Sequence, residues 1–274
     1  MDINITELLK KLESETNVLL EWFRINEMKL NETKCHLMIT KPCYSSVIVG
    51  GTLISNEPKI NLLGITIDDN LKFTDHVRKI YKKGNQKLHA LSRISKYMDH
   101  DKLRILMKTF ITSQFNYGQL IWMFHNRTLN NKINKLHEKA LRLVYKNENL
   151  YFQQLLELDG SVTIHHRNLQ KLALEMYKVK NDLTPLPVRE IFKEYPNQYH
   201  LRNKRCWEIP KTRTMLFGTE TIRYRGLKTW EILPDDIKFS KNLKEFKRRV
   251  RKWKPEGCTC RLCQIFIPEL GYLN

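Results

Sequence analysis

Apolar residues recur at helical spacing along most of this chain and form short, β-branched runs only near its start. Between residues 5 and 25, Leu8, Leu9, Leu12, Leu19, Trp22 and Phe23 sit near one helical face, and Asn4 or Thr6 is placed to cap the start. A polar turn at Asn31 follows. HLMIT (36–40) and SSVIVGG (45–51) then predict short strands with Gly50-Gly51 as a turn, and KINLLGITID (59–68) predicts a third strand. Helical spacing returns from Asp75 to Tyr97. Three stripes come after it: Leu103, Leu106, Met107, Phe110 and Ile111; Ile133, Leu136, Ala140, Leu143 and Val144; Leu169, Leu172, Ala173, Met176 and Tyr177. Such stripes are the packing faces of helices. Pro185-Leu186-Pro187 ends the helical run. The pattern predicts an α+β fold, mostly α.

Charge adds a partner to this picture. The chain has 274 residues with 48 Lys+Arg against 29 Asp+Glu, a net charge of +19. An excess of this size repels itself in a compact chain and calls for a polyanion. Nucleic acid is the first candidate, because phosphates neutralised by Lys and Arg release counterions. An anionic membrane surface is the competitor. No apolar run approaches the ~20 residues of a membrane span. The start, MDINITELLKKLESE, lacks the basic-then-apolar order of a signal peptide. The expectation is a soluble intracellular protein, nuclear or cytoplasmic and not secreted.

Much of the excess lies beyond His200. Arg202, Lys204, Arg205, Lys211 and Arg213 begin the series, and KNLKEFKRRVRKWK (241–254) closes it with Lys247, Arg248, Arg249 and Arg251. In that last segment Leu243, Phe246, Val250 and Trp253 form a narrow apolar stripe. Trp207, Tyr224 and Trp230 are interleaved among basic residues nearby, a pattern suited to stacking and phosphate contact.

Six cysteines are present, three of them in CTCRLC. Cys258, Cys260 and Cys263 are close enough to share a metal, and Zn²⁺ favours cysteine sulfur. A fourth ligand is not adjacent, which leaves Cys206 or His200 to return from upstream. His165-His166 has no cysteine or carboxylate nearby in sequence and is expected to serve as a cap or core residue. Asp68-Asp69 and Asp235-Asp236 sit where turns and N-caps are made. Lys34, in NETKC, is by itself a solvated turn lysine.

The order of three blocks gives Lys34 a further meaning. The first block is Trp22, Phe23, Asn26, Leu30, Asn31, Lys34 and Cys35. The second is Leu62, Leu63, Gly64, Ile65, Ile67, Leu71, Phe73 and His76. The third is Trp230, Leu233, Pro234, Ile237, Leu243, Phe246 and Lys247. In this order they resemble the C-terminal half of the reverse transcriptase domain of non-LTR retrotransposons of the jockey-like kind, and the resemblance spans nearly the whole chain. It implies a partial palm with a primer-grip-like hairpin over 1–72, a helical thumb-like segment over 73–150, and a basic helical region with a Cys-rich end over 151–274.

By that resemblance Lys34 is the palm lysine near the incoming nucleotide's phosphates, where it would neutralise developing charge or protonate the leaving pyrophosphate. Leu63 and Gly64 would lie at the primer grip, where glycine lets backbone approach nucleic acid. Lys79, Lys82 and Lys83 would lie on the thumb against the RNA or DNA template–primer duplex, joined by Arg202, Arg205 and the basic terminal helix.

The family's polymerase holds two Mg²⁺ ions on aspartates of an early palm strand and an F/Y-A-D-D hairpin. That hairpin would precede the opening helix, and no such sequence occurs here. The expectation is therefore a truncated RNA-directed DNA polymerase that keeps template–primer binding, does not polymerise alone, and has the missing N-terminal part as a candidate partner. A partial palm also leaves a sheet edge that makes this portion marginal or prone to associate. The family's zinc knuckle continues with a downstream His and Cys, and neither follows CTCRLC. The alternatives are a nucleic-acid-binding module with a structural zinc site and no polymerase role, and an interaction protein whose basic helix docks acidic partners.

Overall fold

A computed structural model describes residues 4–40, 45–124, 126–192, 207–214, 218–263, 266–267 and 271–272. The chain divides into two compact units, Met1–His76 and Val77–Asn274. The described residues form an α+β fold that is mostly helical, and their strands pair only as two-stranded antiparallel sheets.

The first unit opens with α1 (Ile5–Ile25), whose cap is the Asn4 side chain accepting from the Thr6 N–H at 3.1 Å. No residue of α1 is fully buried. Leu9 and Leu20 lean on a small cluster of Leu37, Val47, Val49 and Ile54, while Val18, Leu19, Trp22 and Ile25 stay exposed. Strands β1 (Ser46–Val49) and β2 (Thr52–Ser55) form a hairpin in which Val47 faces Ile54. The Ile48 N–H donates to the Glu13 carboxylate at 3.1 Å and ties the hairpin to α1.

Residues 36–40 do not form the expected strand. Their one ladder contact is an isolated parallel bridge, Leu37 to Asn56. The Asn56 side-chain oxygen accepts from the Ile39 N–H at 2.8 Å, so a side chain meets the need that a neighbouring strand would have met.

The run at 59–68, one strand by its residue pattern and a hairpin by the resemblance, folds back on itself as β3 (Lys59–Leu62) and β4 (Ile65–Asp68). Its two-residue turn is Leu63 at φ +49° and Gly64 at φ +84°, the positive-φ pair that a tight hairpin demands. Leu63 projects from the tip with 80% of its surface exposed. Beyond β4, the Asp68 carboxylate accepts from the N–H groups of Lys72 at 3.0 Å and Phe73 at 2.7 Å, closing the loop into the next helix.

That helix, α2 (Thr74–Ile94), buries Val77, Ile80, Leu88 and Leu91. In the second unit α3 (His100–Leu106) widens to a π turn over Met107–Ile111 and tightens to a 3-10 turn over Thr112–Phe115. The changed pitch leaves Met107 and Ile111 inside and turns Phe110 outward, off the stripe that even helical spacing predicts. The short α4 (Gln119–Trp122) leads to α5 (Arg127–Tyr145), α6 (Phe152–Asp159) and α7 (Ile164–Lys180). Helix α5 packs on both α6 and α7, so helices on either side of residue 150 share contacts. A buried carboxylate fixes one corner: Asp159 receives Arg104 Nε at 2.6 Å and the Tyr145 hydroxyl at 3.1 Å.

Helix α7 is the centre of this unit, and it touches α4, α5 and the two helices that position the basic end. After α8 (Leu186–Arg189) come α9 (Ile222–Ile232), α10 (Asp235–Lys238) and α11 (Leu243–Val250). Gly226 on α9 lets the helices close up, because a Cβ there would stand 2.7 Å from Met176 Sδ on α7. Ala173, Met176, Tyr177, Trp207, Leu227, Trp230, Phe246, Val250 and Trp253 join in one core cluster. The two-residue strands β5 (Phe266–Ile267) and β6 (Gly271–Tyr272) pair near the end of the chain. Among the described residues no helix is long and apolar enough to cross a membrane.

Candidate nucleic-acid interface and metal cluster

Lys34 ends a 3-10 turn, Glu32–Lys34, started by the Asn31 side chain, which accepts from the Thr33 N–H at 3.1 Å and the Thr33 hydroxyl at 2.6 Å. Its neighbour Glu32 accepts from the Thr52 hydroxyl. Lys34 itself is exposed and forms no ion pair among the described residues. The aspartate pairs have structural work. Asp68 closes the turn after β4, while Asp235 and Asp236 open α10 and pair with Lys238 and Arg249.

The basic residues fall on two helical faces of the second unit. On α2, Lys79, Lys82 and Lys83 are exposed, opposite the buried Val77, Ile80 and Leu88. On α11 the division is sharper. Phe246 and Val250, with Trp253 in the turn that follows, are buried in the core, while Lys244, Lys247 and Arg248 on the helix and Arg251 and Lys252 just after it are exposed around an open groove of about 990 Å³. None of these five forms an ion pair among the described residues. Arg249 differs, since Glu245 holds it at 2.8 Å and the Asp236 carbonyl at 2.6 Å. Arg202 and Arg205 lie outside the described residues.

The aromatic residues read as stacking partners do otherwise. Trp207 and Trp230 are buried, edge to face at 5.8 Å, inside the cluster under α11. Their burial satisfies the core and removes them from any outer surface. Of the three aromatic residues named from sequence, Tyr224 alone stays half-exposed, with the Arg225 guanidinium 5.8 Å from its ring.

The cysteines of CTCRLC converge. The Cys263 N–H donates to the Cys260 carbonyl at 3.0 Å, which turns the loop on itself. Cys258, Cys260 and Cys263 are free thiols, Cys260 fully buried and the other two half-buried. Cys206 and His200, the upstream ligands considered from sequence, lie outside the described residues. Instead His165, in the first turn of α7, places Nε2 3.1 Å from Cys260 Sγ across 95 residues of sequence. Of the cap or core role expected of this pair of histidines, the cap is made by Thr163, whose hydroxyl accepts from the His166 N–H at 3.1 Å, and His165 is buried. Among the described residues, His165, Cys260 and Cys263 are the one group of three His, Cys, Asp or Glu side chains gathered closely enough to hold an ion, their donor atoms all within 4.8 Å. No local spacing announces His165. The only signal was the lack of a fourth ligand beside three clustered cysteines.

Hydrogen bonds from the Cys260 and Cys263 thiols hold the Cys258 sulfur well below the usual thiol range, and the same crowding pushes Cys263 far above it. Burial, followed by the neighbouring His165, pushes His166 down to about 4. This chain matches no family model, no curated protein and no solved structure.

Proposed function

We propose that the chain binds the phosphate backbone of RNA and DNA, as the C-terminal part of a non-LTR type reverse transcriptase that keeps template–primer contacts without polymerising by itself. The observation that supports this most is the outward face of α11 and the turn after it, where Lys244, Lys247, Arg248, Arg251 and Lys252 are exposed and form no ion pair among the described residues. The opposite face of the same helix is anchored in the core, so the charges are held in a fixed array. The exposed lysines of α2 add a second array, and the net charge of +19 favours a polyanion at long range. Of the two aspartate pairs, Asp68 is engaged in a turn and Asp235-Asp236 in a helix start, which favours a binding role. A partner of this kind places the protein inside the cell, with nucleic acid.

Fluorescence anisotropy with a labelled primed RNA template tests the reading. Affinity should fall linearly on a log–log plot against salt. The triple variant Lys247→Glu, Arg248→Glu, Arg251→Glu should weaken binding ~100-fold and flatten that slope by about 2–3. Binding indifferent to both salt and the triple variant would overturn it. Nucleotide incorporation by the purified chain with Mg²⁺ would overturn the non-catalytic part alone.

A further inference from the structure

We propose that Cys258, Cys260, Cys263 and the distant His165 together bind one Zn²⁺ ion in a closed structural site that staples the C-terminal loop to α7. The inference stands on residues separate from the basic faces and does not depend on the nucleic-acid reading.

The donor set comes first. Three free thiols and one imidazole are the soft sulfur and nitrogen ligands that select Zn²⁺ over the hard cations. Around a tetrahedral zinc with ordinary bond lengths the donor atoms stand roughly 3.5–3.8 Å apart. His165 Nε2 and Cys260 Sγ are already at 3.1 Å, and the Cys263 sulfur lies within 4.8 Å of both. Cys258 stands outside that close group of three, but two residues before Cys260 it lines the same cavity as Cys263 and packs on the same apolar wall, so it is the thiol placed to close the fourth corner as the ion binds. Four protein donors leave no open coordination position, so the site is structural and not catalytic.

The surroundings suit an ion. His165 is buried, and its Nε2 is the ring nitrogen that meets the Cys260 sulfur, so the imidazole is aimed at the thiols. Behind the loop Cys258 and Cys263 pack against Met123, Leu169 and Leu172, an apolar wall that excludes water. In front, a cavity of about 330 Å³ bordered by Thr163, His166, Cys258 and Cys263 gives an ion a way in. The arrangement differs from a zinc knuckle because its fourth ligand comes from a helix 95 residues upstream of Cys260.

Metal analysis of the purified full chain, followed by Co²⁺ titration of the zinc-stripped protein, tests this. One metal per chain is expected, with the visible absorption of tetrahedral cobalt bearing three thiolates. His165→Ala should weaken Co²⁺ binding at least tenfold. His165→Cys should keep one equivalent and shift the spectrum to that of a four-thiolate site, a readout that survives if the alanine variant does not fold. Wild-type protein without stoichiometric metal, or a His165→Cys spectrum identical to wild type, would overturn the proposal.

Discussion

Phe246 lies on Tyr177 with ring centroids 4.1 Å apart and an interplanar angle of 28°, while the Tyr177 hydroxyl donates to the Ser240 carbonyl at 3.2 Å. One aromatic pair thus joins α7 to α11, and its hydroxyl secures the loop that leads into α11. Phe246→Ala should cost ~3–5 kcal/mol of stability, the range for truncating a fully buried ring. Urea unfolding of the variant checks it, and a loss below ~1 kcal/mol would mean that α11 is not anchored by this ring.

His137 supplies a pH dependence. It is buried on α5, and burial, reinforced by nearby Arg167, pushes its pKa from 6.5 to about 3. Below pH 6.5 the unfolded chain takes up a proton that the fold refuses. The stability from the neutral ring is therefore complete above that pH and declines as pH falls toward about 3. Each such group contributes a slope near 1.4 kcal/mol per pH unit. His137→Gln should flatten the fall in unfolding free energy, taken from urea titrations between about pH 6 and 4, by roughly that slope. An unchanged profile would assign the acid sensitivity to other groups.

The Arg104–Asp159 pair predicts an asymmetry. The Asp159 side chain is 1% exposed and that of Arg104 is 37% exposed. Removing the arginine leaves the buried carboxylate to the longer Lys108 contact at 3.7 Å and the Tyr145 hydroxyl, whereas removing the carboxylate's charge leaves an arginine that reaches water. Arg104→Met should therefore cost about 1.5–3 kcal/mol and Asp159→Asn distinctly less. Equal losses in thermal melts would contradict this.

The first unit should be the weaker of the two. Its buried cluster is Leu37, Val47, Val49 and Ile54, and α1 contributes no fully buried side chain. In rising urea, hydrogen exchange should show residues 5–68 losing protection before α5 and α7 do. A single transition with equal protection throughout would show that the small cluster suffices.

Much of the helical architecture was legible because helical periodicity is a local property. The stripe from Leu169 to Tyr177 is buried at every position named, since α7 is surrounded by other elements. The hairpin at Leu63 was hidden in the residue pattern because an apolar residue occupies a positive-φ position that Asn or Gly usually marks. The strand expected at 36–40 failed through a side chain, Asn56, whose partner could not be guessed from spacing. Trp207 and Trp230 misled for another reason: interleaving with basic residues in sequence says nothing about which side of the backbone faces the core. His165 shows the same limit at longer range, because only folding brings it to the cysteines.

One uncharged residue governs the direction of much of this charge. Gln170 on α7 donates through Nε2 to the carbonyls of Trp253 at 2.6 Å and Arg251 at 3.2 Å, catching the chain just where α11 ends. Gln170→Leu would leave the electrostatic inventory identical and free the last turn to rotate. The aim of the cationic face is in this sense a neutral property, invisible to any map drawn from charge alone.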